Sequence, residues 1–192
     1  DFIADFIFEE LNVKHVFMVT GAGIMHLTDG VASHPKLQAI CPHHEQTSSM
    51  AIDAYSRASE NFGVGFFTSG PGGTNAVTGL CGAWQDSVPC LFISGQVKKK
   101  ETTNNAKIPG LRQFGVQELD MIPIVKYACK YAITLNDPNK VKYEFEKAVH
   151  IAKSGRPGPV WIQIPMDVQS SIIDETKLNG FEHDDVIPTA SD

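Results

Sequence analysis

The sequence predicts an α/β protein built on a doubly wound, mostly parallel sheet of six strands, with helices on both faces. Two observations lead to this prediction. Short apolar runs alternate along the chain with longer segments whose apolar residues recur every three or four positions, which is typical of strands followed by helices. The apolar runs are also almost uniformly hydrophobic, as strands are when helices cover both faces of a parallel sheet.

We predict strands at six places, residues 16–19, 37–41, 64–68, 90–94, 127–134 and 160–164. Helices are predicted at 2–11, 24–31, 47–59, 76–84 and 139–153. In the last of these, Val141 and Phe145 begin one apolar stripe. Pro138 near its start and Gly155 just past its end occupy the positions that these residues favour at helix ends.

A single carboxylate, Glu45, lies between the predicted strand 37–41 and the predicted helix 47–59, in the run His-His-Glu-Gln. A carboxyl group that faces a dry pocket tends to keep its proton, so Glu45 could donate a proton to a ring nitrogen of a ligand. Alternatively, Glu45 is only a negative charge placed favourably near a helix N-terminus. Sequence position alone does not separate the two interpretations. We expect the neighbouring His44 to cap the helix or to form a hydrogen bond beside Glu45.

A glycine-rich turn, Thr-Ser-Gly-Pro-Gly-Gly-Thr-Asn at 68–75, follows the predicted strand 64–68 and precedes the predicted helix 76–84. Its glycines permit backbone conformations that other residues avoid, and the amides of a helix N-terminus can donate hydrogen bonds. A flat polar heterocycle or an anion could therefore bind there. The run matches neither GxxxxGK[ST] nor GxGxxG, so a P-loop and a dinucleotide fingerprint are both poorly supported.

Four features each follow a predicted strand: Gly21, the loop that carries Glu45, the glycine-rich turn 68–75, and Gln96. In doubly wound sheets, ligands bind at the carboxyl ends of the strands. The sequence therefore predicts that these four features meet at one edge of the sheet.

These motifs resemble those of the N-terminal pyrimidine-binding (Pyr) domain of thiamine diphosphate-dependent enzymes. Acetohydroxyacid (acetolactate) synthase, in the superfamily of pyruvate oxidases and decarboxylases, is the most similar type. The motifs that carry the resemblance are HEQ at 44–46, TSGPGGTN at 68–75, DSVP at 86–89, ISGQV at 93–97, SGRPGPV at 154–160 and IPMDVQ at 164–169. They occur in the family's order and cover nearly the whole chain.

The resemblance implies that Glu45 is the catalytic residue. In this family the matching glutamate hydrogen-bonds N1′ of the aminopyrimidine and favours the imino tautomer, whose nitrogen takes the proton from C2 of the thiazolium. The C2 ylide then adds to a 2-oxo acid, which is decarboxylated, carboligated or both. The cofactor-binding residues implied for the pyrimidine side are Gly21, Glu45, Pro71, Thr74, Asn75 and Gln96. No metal ligand is implied within this chain.

The sequence contains no GDG motif. Relatives use this motif and a downstream asparagine to bind the diphosphate through magnesium, in a separate C-terminal domain. The resemblance thus implies that this chain is inactive alone. The diphosphate-binding half, with its magnesium, would come from the rest of the polypeptide or from a second subunit, in a homodimer or higher homo-oligomer. Gly79, Gly82 and Ala83 permit close approach, so we expect helices 47–59 and 76–84 to lie at the dimer contact. Whether FAD binds elsewhere, and which donor and acceptor react, is left open.

The composition and charge of the chain disfavour nucleic-acid-binding and membrane-spanning proteins. The net charge of −6 disfavours nucleic-acid binding, and no apolar run is long enough to span a membrane. The four cysteines have no CxxC spacing, which favours reduced thiols and a cytoplasmic location over a zinc or redox site. The chain has no initiator methionine and starts within a predicted helix, so we expect a fragment.

We assign residues 1–173 to the Pyr domain and interpret the acidic tail 174–192 as the start of a linker to a middle domain, outside the core. Residues 98–115 are polar and lack clear periodicity, which predicts a long loop that is mobile until a partner covers it. This is where the sequence departs from acetohydroxyacid synthase. Gln117 and Glu118 match the last two residues of its AFQE motif, but the spacing to Phe114 differs.

Two other functions are compatible with parts of the pattern. The chain could be a non-catalytic α/β module that binds a nucleotide or phosphate at the glycine-rich turn. The sequence disfavours this nucleotide- or phosphate-binding function, because neither a phosphate-binding lysine nor a ribose-binding acid follows the turn at the usual spacing. The chain could also be a regulatory or assembly domain that keeps the fold without the chemistry.

Overall fold

The computed structural model describes residues 1–182, which form one six-stranded sheet in which every neighbouring pair is parallel. The strands are β1 His15–Met18, β2 Gln38–Ile40, β3 Gly63–Phe67, β4 Cys90–Gln96, β5 Tyr131–Thr134 and β6 Val160–Pro165. Their order across the sheet is β2-β1-β3-β4-β6-β5. The predicted α/β fold with a doubly wound parallel sheet is confirmed.

Helices connect these strands. They are α1 Phe2–Asp5, α2 Met25–Ser33, α3 Glu45–Ser59, α4 Pro71–Gln85, α5 Thr103–Ala106, α6 Ile122–Val125, α7 Val141–Lys153 and α8 Met166–Gln169. A π-helical turn, Phe6–Glu10, continues α1, and 3-10 turns occur at Ala22–Ile24, Lys99–Glu101, Lys126–Ala128, Pro138–Lys140 and Glu175–Lys177. No helix among the described residues is long and apolar enough to cross a membrane.

Each face of the sheet has its own core, because successive side chains of a strand point to opposite faces. In β3, Val64 and Phe66 pack with residues of α2 and α7, whereas Phe67 packs with residues of α3, α4 and α6. The rings of Phe67, Phe92 and Trp161 stack on one another in the second core. Trp161 Nε1 donates a hydrogen bond to Ser94 Oγ at 2.9 Å, which satisfies the buried indole.

Two predicted boundaries were wrong by several residues. The strand predicted at 127–134 begins only at Tyr131, and Tyr127 lies in a 3-10 turn with 89% of its surface exposed. The helix predicted at 76–84 already begins at Pro71, since proline at the first helical position has the required φ and needs no hydrogen-bond acceptor. Much of the glycine-rich turn is therefore the first turn of α4. The segment 98–115 is mostly irregular, but it contains the turn Lys99–Glu101 and the short helix α5.

The tail is less detached than its composition predicted. Leu178 is buried in the core, and the ring of Phe181 packs edge-on against Tyr143 of α7. The prediction that the tail stays outside the core was therefore wrong for Leu178, because burial of its apolar side chain outweighs the acidic character around it. The rest of the proposed linker, residues 183–192, lies outside the described residues, and the boundary at 173/174 stays a prediction.

Small residues of α4 make packing contacts within this single chain. A Cβ on Gly79 would overlap the backbone of Ser49, so α3 and α4 are in contact at this point. Ala83 is completely buried, whereas a Cβ on Gly82 would have Asp53 Oδ2, at 3.9 Å, as its nearest neighbour outside the helix backbone among residues 1–182. Gly79 and Ala83 are thus explained by packing of α3 against α4, and the dimer contact predicted for these helices stays a prediction.

The substitution Gly79→Ala is expected to lower the free energy of unfolding by about 1–3 kcal/mol, because the methyl group would force α3 and α4 apart. Gly82→Ala is the matched control on the same helix, and it should be neutral or stabilising by up to about 1 kcal/mol. Urea unfolding followed by circular dichroism measures both. Equal effects of the two substitutions would contradict the close packing at Gly79.

The four cysteines are free thiols with different exposure: Cys41 is exposed, Cys81 is half-buried, and Cys90 and Cys129 are buried. Burial raises the pKa of the Cys90 thiol to about 12 and also raises the pKa of Cys129.

At about pH 8.5, the ordinary thiol pKa, we expect a thiol reagent to label Cys41 rapidly and Cys90 and Cys129 only after unfolding. Cys41→Ser should abolish the fast phase that Cys41 contributes, and rapid labelling of Cys90 in the folded protein would contradict the structure.

Candidate functional site

The predicted site residues follow four strands that end at one edge of the sheet. Gly21 comes after β1, Glu45 after β2, the glycine-rich turn after β3, and Gln96 is the last residue of β4. Because all strands are parallel, these carboxyl ends face the same side. The predicted convergence at one edge is confirmed by the topology.

Glu45 is the first residue of α3 and is partly buried. His44 caps the helix: its Nδ1 accepts a hydrogen bond from the backbone N–H of Gln46 at 3.1 Å. The predicted capping role of His44 is confirmed, and it leaves the Glu45 carboxylate free for other contacts.

The two oxygens of the Glu45 carboxylate have different surroundings. Oε2 accepts a hydrogen bond from Nδ2 of Asn75, in the second turn of α4, at 3.0 Å. Oε1 receives no hydrogen bond from any residue in the range 1–182, and it lies beside Gly72, where a Cβ would be 3.6 Å from it. Asn75 therefore fixes the orientation of the carboxylate while Oε1 stays available to a ligand.

The three glycines of the turn each meet a different neighbour at close range. A Cβ on Gly70 would overlap the carbonyl oxygen of Gln117, and the φ of +61° at Gly70 also favours glycine. At Gly73 a Cβ would lie 2.9 Å from the sulfur of Met121. Gly72 faces Thr68 and Glu45. The glycines allow the N-terminus of α4 to approach the segment that precedes α6 and the carboxylate at the same time.

Gly21 joins this group through Thr68. A Cβ on Gly21 would lie 2.5 Å from the Cβ of Thr68, and the Thr68 hydroxyl accepts a hydrogen bond from the N–H of Gly23 at 3.1 Å. Thr68 in turn contacts Gly72, the neighbour of Glu45. The structure therefore brings Gly21, Glu45 and Asn75 together.

The remaining predicted cofactor-binding residues, Pro71, Thr74 and Gln96, differ in their exposure and in their hydrogen bonds. Pro71 and Thr74 are exposed on the first turn of α4, and the Thr74 hydroxyl donates to the carbonyl oxygen of Pro71 at 3.2 Å. Gln96 is 2% exposed, and its amide binds within the chain: Nε2 donates to the Leu119 carbonyl at 2.8 Å, and Oε1 accepts from the Val97 N–H at 2.9 Å. A role of Gln96 in ligand binding stays a prediction, but its amide supports the segment before α6.

Sequence reasoning did not assign a role to Gly23, Thr68 or Met121, which complete the surroundings of Glu45 and α4. Thr68 was within the motif at 68–75, so its position was available as a signal. The contact of Met121 with Gly73 joins residues nearly fifty positions apart, and no local pattern marks it.

The Glu45 side chain is only partly buried on this single chain. A cavity of about 400 Å³ occurs elsewhere, between the start of the chain and the region of α8. Its lining includes Phe2, Leu27 and Val168 but none of the six predicted ligand residues. The cavity is thus separate from the candidate site.

The fold and the site define a class of protein: an α/β domain that holds one oriented carboxylate beside a glycine-rich helix start. Residues 1–124 match the family described as thiamine pyrophosphate enzyme, N-terminal TPP binding domain. The chain belongs to this family of N-terminal thiamine pyrophosphate-binding domains, and its sequence is acetolactate synthase-like.

Curated relatives agree with this assignment. The chain is 37% identical over 164 residues to the mitochondrial acetolactate synthase of Schizosaccharomyces pombe, which covers 85% of this chain and 23% of that protein. It is 35% identical over 156 residues to the acetolactate synthase large subunit of Buchnera aphidicola from Acyrthosiphon pisum, covering 81% and 26%. The large subunit of Lactococcus lactis is 34% identical over 171 residues, covering 89% and 28%. The chain thus spans about a quarter of the length of these relatives.

The contact between Gly70 and Gln117 can be measured by substitution. Gly70→Ala should destabilise the protein by about 2–4 kcal/mol, because it combines an unfavourable positive φ with a steric overlap. Gly110→Ala is the control, since Gly110 also has a positive φ, +75°, but within residues 1–182 an added Cβ would have no atom within 4 Å beyond its two chain neighbours. Its cost should stay near 1–2 kcal/mol, the approximate cost of the conformation alone. Thermal unfolding compares the two, and a Gly70→Ala variant no less stable than the control would contradict the contact.

Proposed function

We propose that this domain forms the pyrimidine-binding half of a thiamine diphosphate site in an enzyme that decarboxylates a 2-oxo acid, carboligates it, or does both, and that Glu45 is its proton relay. The observation that supports the proposal is the asymmetric environment of the Glu45 carboxylate. Asn75 holds Oε2 at 3.0 Å, and Oε1 has no hydrogen-bond partner within residues 1–182.

The donor set suits an aminopyrimidine. A carboxyl group can share a proton with a ring nitrogen, and the absence of a side chain at Gly72 lets Thr68 and the Glu45 carboxylate lie close to the start of α4. The absence of a side chain at Gly21 likewise makes room for Thr68, which brings the segment after β1 close to the same group. Of the predicted ligand residues, Glu45, Gly21 and Asn75 therefore lie close together and fit an aminopyrimidine. Pro71 and Thr74 lie on the adjoining helical turn.

Thiamine diphosphate supplies a carbon nucleophile and an electron sink when it is bound. The residues of this chain provide orientation and proton transfer. Glu45 Oε1 is the atom placed to hold the proton that is shared with the pyrimidine nitrogen, while the Asn75 amide prevents the carboxylate from rotating away. Helix α3 holds Glu45 on a rigid element, since Ser48, Ser49 and Ile52 of its first turns are buried.

The remaining components belong to the proposal as well. The partial exposure of Glu45 and the exposure of Pro71 and Thr74 support a site that another domain completes. We propose that this other domain binds the diphosphate and magnesium and comes from a partner subunit or from the rest of the polypeptide. A homodimer or higher homo-oligomer would bring the halves together. We propose a cytoplasmic location on the basis of the four free cysteines. Nothing in the described residues favours or disfavours FAD bound elsewhere in the full-length protein.

Glu45→Gln tests the proton relay in the full-length protein. The substitution keeps the shape of the side chain and can still accept a hydrogen bond from Asn75, but it cannot carry the proton. We expect turnover of a 2-oxo acid such as pyruvate to fall by about 10²–10⁴-fold, the usual contribution of general acid–base catalysis. Thiamine diphosphate affinity, measured by tryptophan fluorescence, should fall much less.

Glu60→Gln is the control, because it removes the same charge at the exposed C-terminal end of α3. Its turnover should equal that of the unmodified protein. If Glu45→Gln retained full turnover and changed only the thermal stability, Glu45 would be a helix-capping residue and the catalytic proposal would be wrong. Absence of thiamine diphosphate binding by the unmodified protein would instead favour a regulatory or assembly domain.

A further inference from the structure

A buried carboxylate, that of Glu118, organises the mostly exposed segment between β4 and α6. Glu118 is only 7% exposed. Its Oε1 accepts hydrogen bonds from the backbone N–H and the hydroxyl of Thr103, at 2.7 and 2.8 Å, and Oε2 accepts from the N–H of Phe114 at 2.8 Å. Hydrogen bonds to an ionised acceptor are about twice as strong as neutral ones. One side chain therefore ties together three separated points of the segment.

The residues next to Glu118 lie against the candidate site. The carbonyl oxygen of Gln117 contacts Gly70, and the sulfur of Met121 contacts Gly73, both at the start of α4. The Gln96 amide holds the Leu119 carbonyl at 2.8 Å. The segment that Glu118 organises is thus fixed beside the helix that carries Asn75.

The far side of this segment is exposed. Phe114 and Val116 are 55% and 82% exposed, and Gln117 is exposed with a φ of +57°. Residues 98–117 also contain five basic residues and one acidic residue, in a chain whose net charge is −6. A local excess of positive charge attracts anions, and a 2-oxo acid is an anion at neutral pH.

We propose that Glu118 is a positioning residue for the substrate. By binding Thr103 and Phe114, it holds residues 103–117 against the start of α4 as one wall of the proposed substrate site. This wall determines the affinity for the 2-oxo acid more than the affinity for the cofactor. This inference rests on the proposed function. Glu118 itself touches neither substrate nor cofactor in this proposal, since its carboxylate is already occupied by three donors.

The test uses three variants of the full-length protein. Glu118→Ala removes all three hydrogen bonds, and Glu118→Gln keeps one oxygen for Thr103 but loses the acceptor for Phe114. Glu101→Gln is the matched control, because it removes the same charge from the same segment and the Glu101 side chain has no hydrogen bond or ion pair to residues 1–182. The probe is pyruvate, or whichever 2-oxo acid in a panel gives the highest kcat/KM.

Two readouts are combined. In Glu118→Ala, amide hydrogen exchange at Thr103 and Phe114 should accelerate by about tenfold or more, as expected for loss of several hydrogen bonds to a buried charged acceptor. KM for the 2-oxo acid should rise by about tenfold, while kcat and the Kd for thiamine diphosphate change by less than about threefold. Glu118→Gln should be intermediate, with faster exchange at Phe114 than at Thr103, and Glu101→Gln should match the unmodified protein. If Glu118→Ala does not fold, Glu118→Gln carries the test.

Unchanged exchange rates would show that Glu118 does not organise the segment. Faster exchange with an unchanged KM would show that the segment is not a wall of the substrate site, and a loss of cofactor affinity equal to the rise in KM would assign it to the cofactor instead. Each of these results overturns the inference. Failure of the proposed function is separate, because it is reported by full turnover in Glu45→Gln.

Discussion

The structure of the candidate site depends on the close approach of the N-terminus of α4 to its neighbours on several sides. Gly70, Gly72 and Gly73 have no side chains, so this end of the helix can touch Gln117, Thr68 and Met121 at once. A methyl group at any of these glycines would open a gap or force a shift, and interiors packed at normal density absorb such shifts poorly. The orientation of Asn75, one turn further along, follows from this packing.

The close approach of α4 also explains why the two oxygens of the Glu45 carboxylate have different surroundings. Helix α3 presents Glu45 at its first position, and α4 presents Asn75 opposite it, so the amide occupies Oε2. Because Gly72 supplies no side chain, Thr68 and the Glu45 carboxylate both lie against the start of α4, and Oε1 accepts no hydrogen bond from residues 1–182. A preorganised group of this kind needs little rearrangement on binding, which is the property that proton transfer at a fixed atom requires.

Much of this arrangement could be predicted from the sequence, since it depends on local patterns. Uniformly apolar strands and striped helices predicted the parallel sheet, and the position of Glu45 and the glycines after strands predicted where they would meet. The start of α4 was placed too late, because glycines read as a turn whereas Pro71 begins a helix. The burial of Gln96 and Glu118 could not be predicted, because both depend on contacts between residues that are distant in the sequence. Leu178 was missed because a single apolar residue in an acidic tail carries no periodicity.

Two interactions between α3 and α4 could set the distance from Glu45 to Asn75. At the far ends of these helices, Arg57 of α3 donates to Asp86, just past the end of α4, at 2.7 Å. It also donates to Asp53 of its own helix at 2.9 Å, and these hydrogen bonds raise the pKa of Arg57. Arg57 is exposed there, so solvent and salt screen the pairs and they constrain the helices weakly. The backbone contact of Gly79 with Ser49 lies in the buried seam, one turn from Asn75, and it cannot change without moving one whole helix. Packing at Gly79 therefore controls the geometry of the carboxylate, and the ion pairs only support the opposite end.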